Sequence, residues 1–215
     1  SNITYLNSNL NIKAHVIDRG HLINFSTRNK IQIKAPHYIL ITSNKGENYL
    51  ENIGYALQNV TLEMACLGLG TTWLKCMLTR DEVQAIIAFG YPQEGEALFR
   101  SSSAIHDRHR MKHICKTYDE KWFNALNALR VAPSINNCQP WTLEQRENGF
   151  DLFEDEHKKR LELDKYSRIS MGVALRHFEI ACKHDDIDIE YKKLDVKDKR
   201  RKLYFLSVVE KAKQV

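Results

Sequence analysis

Ala132-Pro133-Ser134-Ile135-Asn136-Asn137-Cys138-Gln139-Pro140-Trp141 is a run of hydrogen-bonding side chains held between two prolines. Ser134, Asn137 and Gln139 can each donate and accept, and the prolines narrow the freedom of the backbone that carries them. Polar groups at fixed positions suit a heterocycle with a polar edge. The same residues also compose an ordinary helix-to-strand connection. A second stretch is Leu67-Gly68-Leu69-Gly70-Thr71-Thr72-Trp73-Leu74-Lys75-Cys76. It is not a dinucleotide fingerprint: the third glycine would fall on Trp73, and the segment ends a helix where a fingerprint opens one. A helix-glycine-strand junction can bring main-chain N–H groups against a flat ligand, and it can equally be a glycine C-cap. In the third stretch, Arg108-His109-Arg110, two arginines two positions apart on extended backbone can reach one phosphate bidentately. A solvated basic loop is the other reading of the same residues.

Other chemistries lack their residues. There is no Ser-His-Asp order, phosphate-cradling Walker loop, catalytic carboxylate pair or metalloprotease helix. His106, His109 and His113 match no closed zinc spacing. A chain without its own acid, base or nucleophile borrows reactivity from a cofactor.

The elements that must position these stretches follow from periodicity. His37 to Thr42, after Pro36, reads as a buried strand. Leu50, Ile53, Leu57, Val60, Met64 and Leu67 recur every three or four positions, one face of a long helix over 47–67 that ends at Gly68 and Gly70. The pattern predicts a strand from Thr72 to Met77. Thr79-Arg80-Asp81-Glu82 has capping-box form and predicts a helix through Phe89. Trp122, Leu126 and Leu129 mark another amphipathic helix running into Pro133. Trp141 to Gln145 and Phe150 to Phe153 flank Asn148-Gly149 as a hairpin. Met171, Ala174, Leu175, Phe178 and Cys182 stripe a further helix, and 187–191 and 203–209 close the chain as strands. The stretch up to Lys34 gives no clear period. Ile53-Gly54-Tyr55-Ala56-Leu57 is echoed by Met171-Gly172-Val173-Ala174-Leu175. That spacing is too long for a solenoid and fits two copies of one half-domain.

Composition narrows the class. The 215 residues are 43% hydrophobic and 27% charged, as expected of a globular chain. No apolar run approaches the roughly 20 residues of a membrane helix, and no signal segment opens the chain. Net charge is +5, with much of the excess between Lys192 and Lys202. This basic stretch reads as a solvated face, which leaves nucleic acid the disfavoured partner. Five cysteines, odd in number and without a Cys-x-x-Cys pair, fit a reduced, cytoplasmic setting.

Taken in order, Gly54-Tyr55 with Gln58-Asn59, Gly68 to Trp73, Phe89 to Pro92, Arg108 to Arg110 and Ala132 to Trp141 resemble the nitroreductase superfamily. Within it, they resemble the family described as "putative TM nitroreductase", in which two half-length units are fused. The resemblance covers about His37 to Cys182. It implies an α+β nitroreductase-like fold with a mixed, mostly antiparallel sheet flanked by helices, built as an internal pseudo-dimer. The two intertwined repeats would span 1–117 and 118–215. It further implies an FMN site between the halves. Pro133, Ser134, Asn137 and Gln139 would contact the flavin from the second repeat; Trp73, Leu74 and Lys75 would line its ring, with the Lys75 main-chain N–H toward N5. Arg108 and Arg110 would hold the phosphate. No side chain is assigned a catalytic role, since the flavin would carry hydride from NAD(P)H to a nitroaromatic, quinone or similar small acceptor. The alternative is a flavin-binding or flavin-sequestering protein, or a relic with little turnover. Monomer and homodimer are both open.

Two departures from the family pattern carry expectations of their own. Members open with a helix and an Arg-Arg-Ser-like phosphate grip. Its absence here implies either about 30 further residues ahead of Ser1 or fewer phosphate anchors. No Ala-Pro-Ser-like loop stands in the first half, and Ala181-Cys182-Lys183-His184 leads to no Gly-Leu-Gly-Thr. One flavin per chain is the expectation.

Overall fold

A computed structural model of the chain describes residues 6, 9–21, 23, 33–75, 83–95, 107–156 and 164–212. The chain divides into two units, Ser1–Ile105 and His106–Val215. In the first, strands β1 (Ile12–Ile17) and β2 (His37–Ser43) are followed by helix α1 (Tyr49–Cys66), then β3 (Gly70–Leu74) and β4 (Val83–Gly90). The sheet order is β1-β2-β4-β3, antiparallel throughout. Tyr38 of β2 and Val83, Ile86 and Ala88 of β4 cluster with Ile23, and Ile17, Leu40 and Leu74 pack around them.

Strand β4 corrects the expectation of a helix running through Phe89. Val83 to Ala88 are all buried, and β4 is paired on one side by β2 and on the other by β3. A central strand buried on both faces loses the alternation that marks a half-exposed one, so its apolar run is compatible with either element. Val83, Ile86 and Ile87 are β-branched and favour the pleated conformation. The capping-box residues 79–82 lie outside the described residues. Strand β3 starts two residues earlier than its alternation indicates, and Cys76 and Met77 also lie outside the described residues.

Helix α1 ends in a Schellman arrangement. The Gly68 N–H donates to Ala65 O at 3.0 Å and the Leu69 N–H to Met64 O at 3.0 Å, satisfying carbonyls that the last turn leaves open. Gly68 takes φ +81°, the left-handed backbone this closure requires. The chain leaves that turn directly into β3.

The second unit begins with the basic segment and a short turn at Met111–His113, then a turn at Glu120–Trp122 leading into α2 (Phe123–Val131). Strands β5 (Trp141–Arg146) and β6 (Gly149–Asp155), helix α3 (Asp164–His184), and strands β7 (Ile189–Lys192) and β8 (Lys202–Glu210) follow. The sheet order is β5-β6-β8-β7, again antiparallel. Among the described residues each unit therefore contains a strand-strand-helix-strand-strand run with the same pairing order, preceded in the second unit by α2. The Ile53–Leu57 and Met171–Leu175 echo falls in the corresponding helices α1 and α3. Trp122, Phe150 and Phe178 form an aromatic core, with Trp122 and Phe150 edge-to-face at 5.2 Å and Trp122 and Phe178 stacked at 6.0 Å.

The β5–β6 hairpin turns at Glu147–Asn148, with Arg146 opposite Gly149. Gly149 has φ +137°, and a Cβ there would lie 2.0 Å from Val208 O, so no other residue fits. The outer edge of β5 is covered from within the unit. The Leu143 N–H donates to Ile114 O at 2.7 Å, and Cys115 bridges Leu143 in parallel. This pairing covers an exposed strand edge and anchors the end of the basic segment beside the strand that follows the proline-bracketed loop.

Candidate functional site

Helix α2 stops at Ala132, whose extended backbone (ψ 143°) precedes Pro133 as the proline ring demands. The loop then makes one short turn, Ile135–Asn137, before β5 begins. Within four positions, Asn136 (φ 49°), Asn137 (φ 53°) and Gln139 (φ 44°) occupy the left-handed region. Asparagine tolerates that region; glutamine has no such preference. A strained conformation costs about 1 kcal/mol or more per residue and persists where surrounding contacts over-determine it.

Those contacts are specific. The Gln139 N–H donates to Ser134 Oγ at 3.0 Å, closing the loop on itself. Arg108 Nη1 donates to Asn137 Oδ1 at 2.7 Å, and Asn137 Nδ2 donates to Asp107 O at 2.8 Å. The His109 N–H donates to Gln139 Oε1 at 2.7 Å, and Gln139 Nε2 reaches Asn137 O at 3.2 Å. Gln139 is only 3% exposed, so its amide has little access to water and its hydrogen bonds fix its orientation. Thus the Arg108–Arg110 and Ala132–Trp141 stretches form one hydrogen-bonded body. Pro133 and Arg110 face solvent, and Ser134 and Arg108 are half-buried.

Helix α3 supports this loop. The Ile135 N–H donates to Ser170 Oγ at 3.2 Å, while the Ser170 hydroxyl donates to Tyr166 O at 2.7 Å. Two turns further on, His177 has its pKa lowered from 6.5 to about 4. Burial is the larger cause, since a charged imidazole there loses its hydration; the Arg108 guanidinium adds repulsion.

The first unit makes a cluster of its own. Trp73 Nε1–H donates to Gln58 Oε1 at 2.9 Å, joining the middle of α1 to β3. Gln58 is 4% exposed. Gly70 pairs with Gly90 and Thr71 with Phe89, so the glycine-rich stretch and the Phe89-Gly90-Tyr91-Pro92 stretch lie side by side. His37 stacks on Phe89 at 5.2 Å. Leu74 ends β3 and Lys75 follows it, both half-buried. Five separate motifs in the sequence thus become two clusters, one within each unit.

Ser170 and His177 are absent from the site residues expected from sequence. A histidine within the apolar stripe of Ala174, Leu175 and Phe178 was the available signal for His177; Ser170 carried none. Among the described residues no group of three His, Cys, Asp or Glu could hold a metal ion. His109 and His113 have ring centroids 6.5 Å apart, and His106 lies outside the described residues. Cys66, Cys115, Cys138 and Cys182 are free thiols. Burial pushes the Cys115 thiol up to about 11 and Cys182 higher still.

Part of the basic stretch near the C-terminus is engaged within the second unit. Lys192 pairs with Glu190 at 2.6 Å, and Lys199 and Lys202 both meet Glu144. Lys193 Nζ donates to Phe205 O at 2.7 Å and sits 4.6 Å from the centre of the Tyr204 ring. Among the described residues no helix is long and apolar enough to cross a membrane.

A family model described as "Putative TM nitroreductase" matches residues 1–182. A search of curated proteins gives no match. Among solved structures, the chain is similar to a protein from Thermotoga maritima whose 2.00 Å crystal structure is titled as that of a putative nitroreductase. The alignment covers 96% of this chain and 78% of that one, with TM-score 0.66 and 16% identity. At that identity the likeness concerns the fold, which is α+β and nitroreductase-like.

Proposed function

The chain belongs to the "Putative TM nitroreductase" family, and from that oxidoreductase class we propose that it is an FMN-dependent enzyme reducing a nitroaromatic, quinone or similar small acceptor with NAD(P)H. One observation carries the reading: Arg108 is tied to Asn137 at 2.7 Å, so the basic stretch and the polar loop are a single preformed body. Preformed donors at fixed positions suit a ligand combining an anionic group with a polar heterocycle. The residues present fit FMN: two guanidinium groups for a phosphate, and beside them a strained loop that carries the Ser134 hydroxyl and is tied to the arginine segment by Asn137 and Gln139.

When bound, FMN supplies two-electron hydride chemistry between the nicotinamide donor and the acceptor. The protein's contribution is to bind and orient. Arg108 and Arg110 would hold the phosphate, and Pro133, Ser134, Asn137 and Gln139 form the loop assigned to the flavin. To Trp73, Leu74 and the main-chain N–H of Lys75 the reading gives the ring, with the indole of Trp73 held in orientation by Gln58. Main-chain N–H donors at such a position stabilise negative charge as it develops.

The visible absorbance spectrum of the purified full chain, with FMN titration, tests this reading first. One FMN per chain and steady NAD(P)H oxidation upon adding a nitroaromatic or quinone is the expected result. Flavin bound without turnover would replace the enzyme reading with that of a flavin-binding protein. A colourless chain indifferent to added FMN would remove both.

A further inference from the structure

Asn137 and Gln139 have most of their hydrogen-bonding capacity turned inward. A side-chain amide offers one acceptor oxygen and two N–H donors. In Asn137 the oxygen accepts from Arg108 Nη1 at 2.7 Å and more distantly from Gln139 Nε2 at 3.3 Å, while Nδ2 donates to Asp107 O at 2.8 Å. In Gln139 the oxygen accepts from the His109 main chain at 2.7 Å, and Nε2 serves Asn137 O at 3.2 Å. Both residues hold left-handed backbone, which these contacts sustain. Ser134 differs. Its oxygen accepts from the Gln139 N–H, which leaves the hydroxyl proton to donate elsewhere.

The partners of the two amides are all in the arginine segment or in each other. Asn137 fixes the head of Arg108, and Gln139 fixes the backbone one residue on. A long arginine side chain samples many rotamers when untethered, and tethering it before the ligand arrives lowers the entropy lost on binding. We infer that Asn137 and Gln139 are positioning residues that act on the flavin phosphate through Arg108 and its segment, leaving Ser134 and Pro133 as the loop's contacts with the flavin. This rests on the FMN reading and divides the roles within it.

FMN and riboflavin differ only in the phosphate, and comparing them separates the two roles. On the full chain, both affinities are measured by flavin-fluorescence quenching for the unmodified protein, Arg108→Gln, Asn137→Ala and the double variant. Loss of one charge-assisted phosphate contact weakens FMN about tenfold or more in Arg108→Gln and leaves riboflavin unchanged. Asn137→Ala is expected to weaken FMN about fivefold, again sparing riboflavin, and to add nothing to Arg108→Gln in the double variant. If Asn137→Ala weakens FMN and riboflavin equally, or adds in full to Arg108→Gln, Asn137 touches the flavin itself and the inference falls.

A second measurement works without ligand. The Arg108 Nη–H NMR resonances, which carry the bond to Asn137, should exchange faster with solvent in Asn137→Ala; Gln139→Ala should likewise deprotect the His109 amide. Unchanged exchange at both would overturn the positioning role whatever the flavin affinities. Release of both, with Arg108→Gln leaving FMN binding intact, would uphold the tether and sink the phosphate reading instead.

Discussion

Replacing His177 with glutamine is expected to remove a specific part of the protein's acid sensitivity. The imidazole has an ordinary pKa of 6.5 and about 4 in the folded chain, because burial and then the Arg108 charge disfavour its protonated form. A group whose folded pKa is depressed binds its proton preferentially when unfolded. The stability it protects is complete above 6.5 and is lost as pH falls toward 4. At about 1.4 kcal/mol for each pH unit between the two values, the full loss is about 3 kcal/mol, and about 2 kcal/mol of it is spent by pH 5. That is a large fraction of the stability of an ordinary domain. The groups one turn away on α3, Val173, Ala174, Ile180 and Ala181, carry no charge. Urea denaturation followed by tryptophan fluorescence, at half-unit steps from pH 7.5 to 4.5, gives stability against pH for the protein and for His177→Gln. The variant should have the flatter curve, the two differing in slope between 6.5 and 4.5, while Arg108→Gln should be intermediate. Parallel curves for the protein and His177→Gln would refute the reasoning, because they would mean His177 titrates alike in both states.

Two further outcomes are expected. At pH 8 a thiol-disulfide reagent should modify exposed Cys66 first among the described cysteines, with Cys115 slower by about a hundredfold or more because little of a buried thiol with a pKa near 11 is ionised. Peptide mapping by mass spectrometry reads this directly, and equal rates would show that Cys115 is not shielded. Gly149→Ala places a Cβ 2.0 Å from Val208 O on backbone at φ +137°, and should cost about 3 kcal/mol or more. A denaturation midpoint near that of the unmodified protein would show that the β5–β6 turn relaxes freely.

Much of this molecule is written locally. The periodicity of 50–67, the Asn148-Gly149 hairpin signal and the apolar stripe from Met171 to Cys182 depend on residues within a few positions of one another, so helix α1, the β5–β6 hairpin (whose turn falls one residue earlier, at Glu147–Asn148) and helix α3 can be read without a partner element. The five ordered motifs carry the family resemblance for the same reason. Strand β4 could not be read this way. Its apolar run permits helix or strand, and only pairing with β2 and β3 on its two sides decides between them. Side-chain commitments are further from view. Arg108 meets Asn137 across 29 positions and Trp73 meets Gln58 across 15. The sequence supplies donors and acceptors at these sites; the folded chain determines which of them are satisfied inside. The depressed pKa of His177 is the clearest case. A histidine in an apolar helix stripe is visible in sequence, but its loss of hydration and the repulsion from Arg108 exist only once α3 and the basic segment are packed together, because both depend on distance through space.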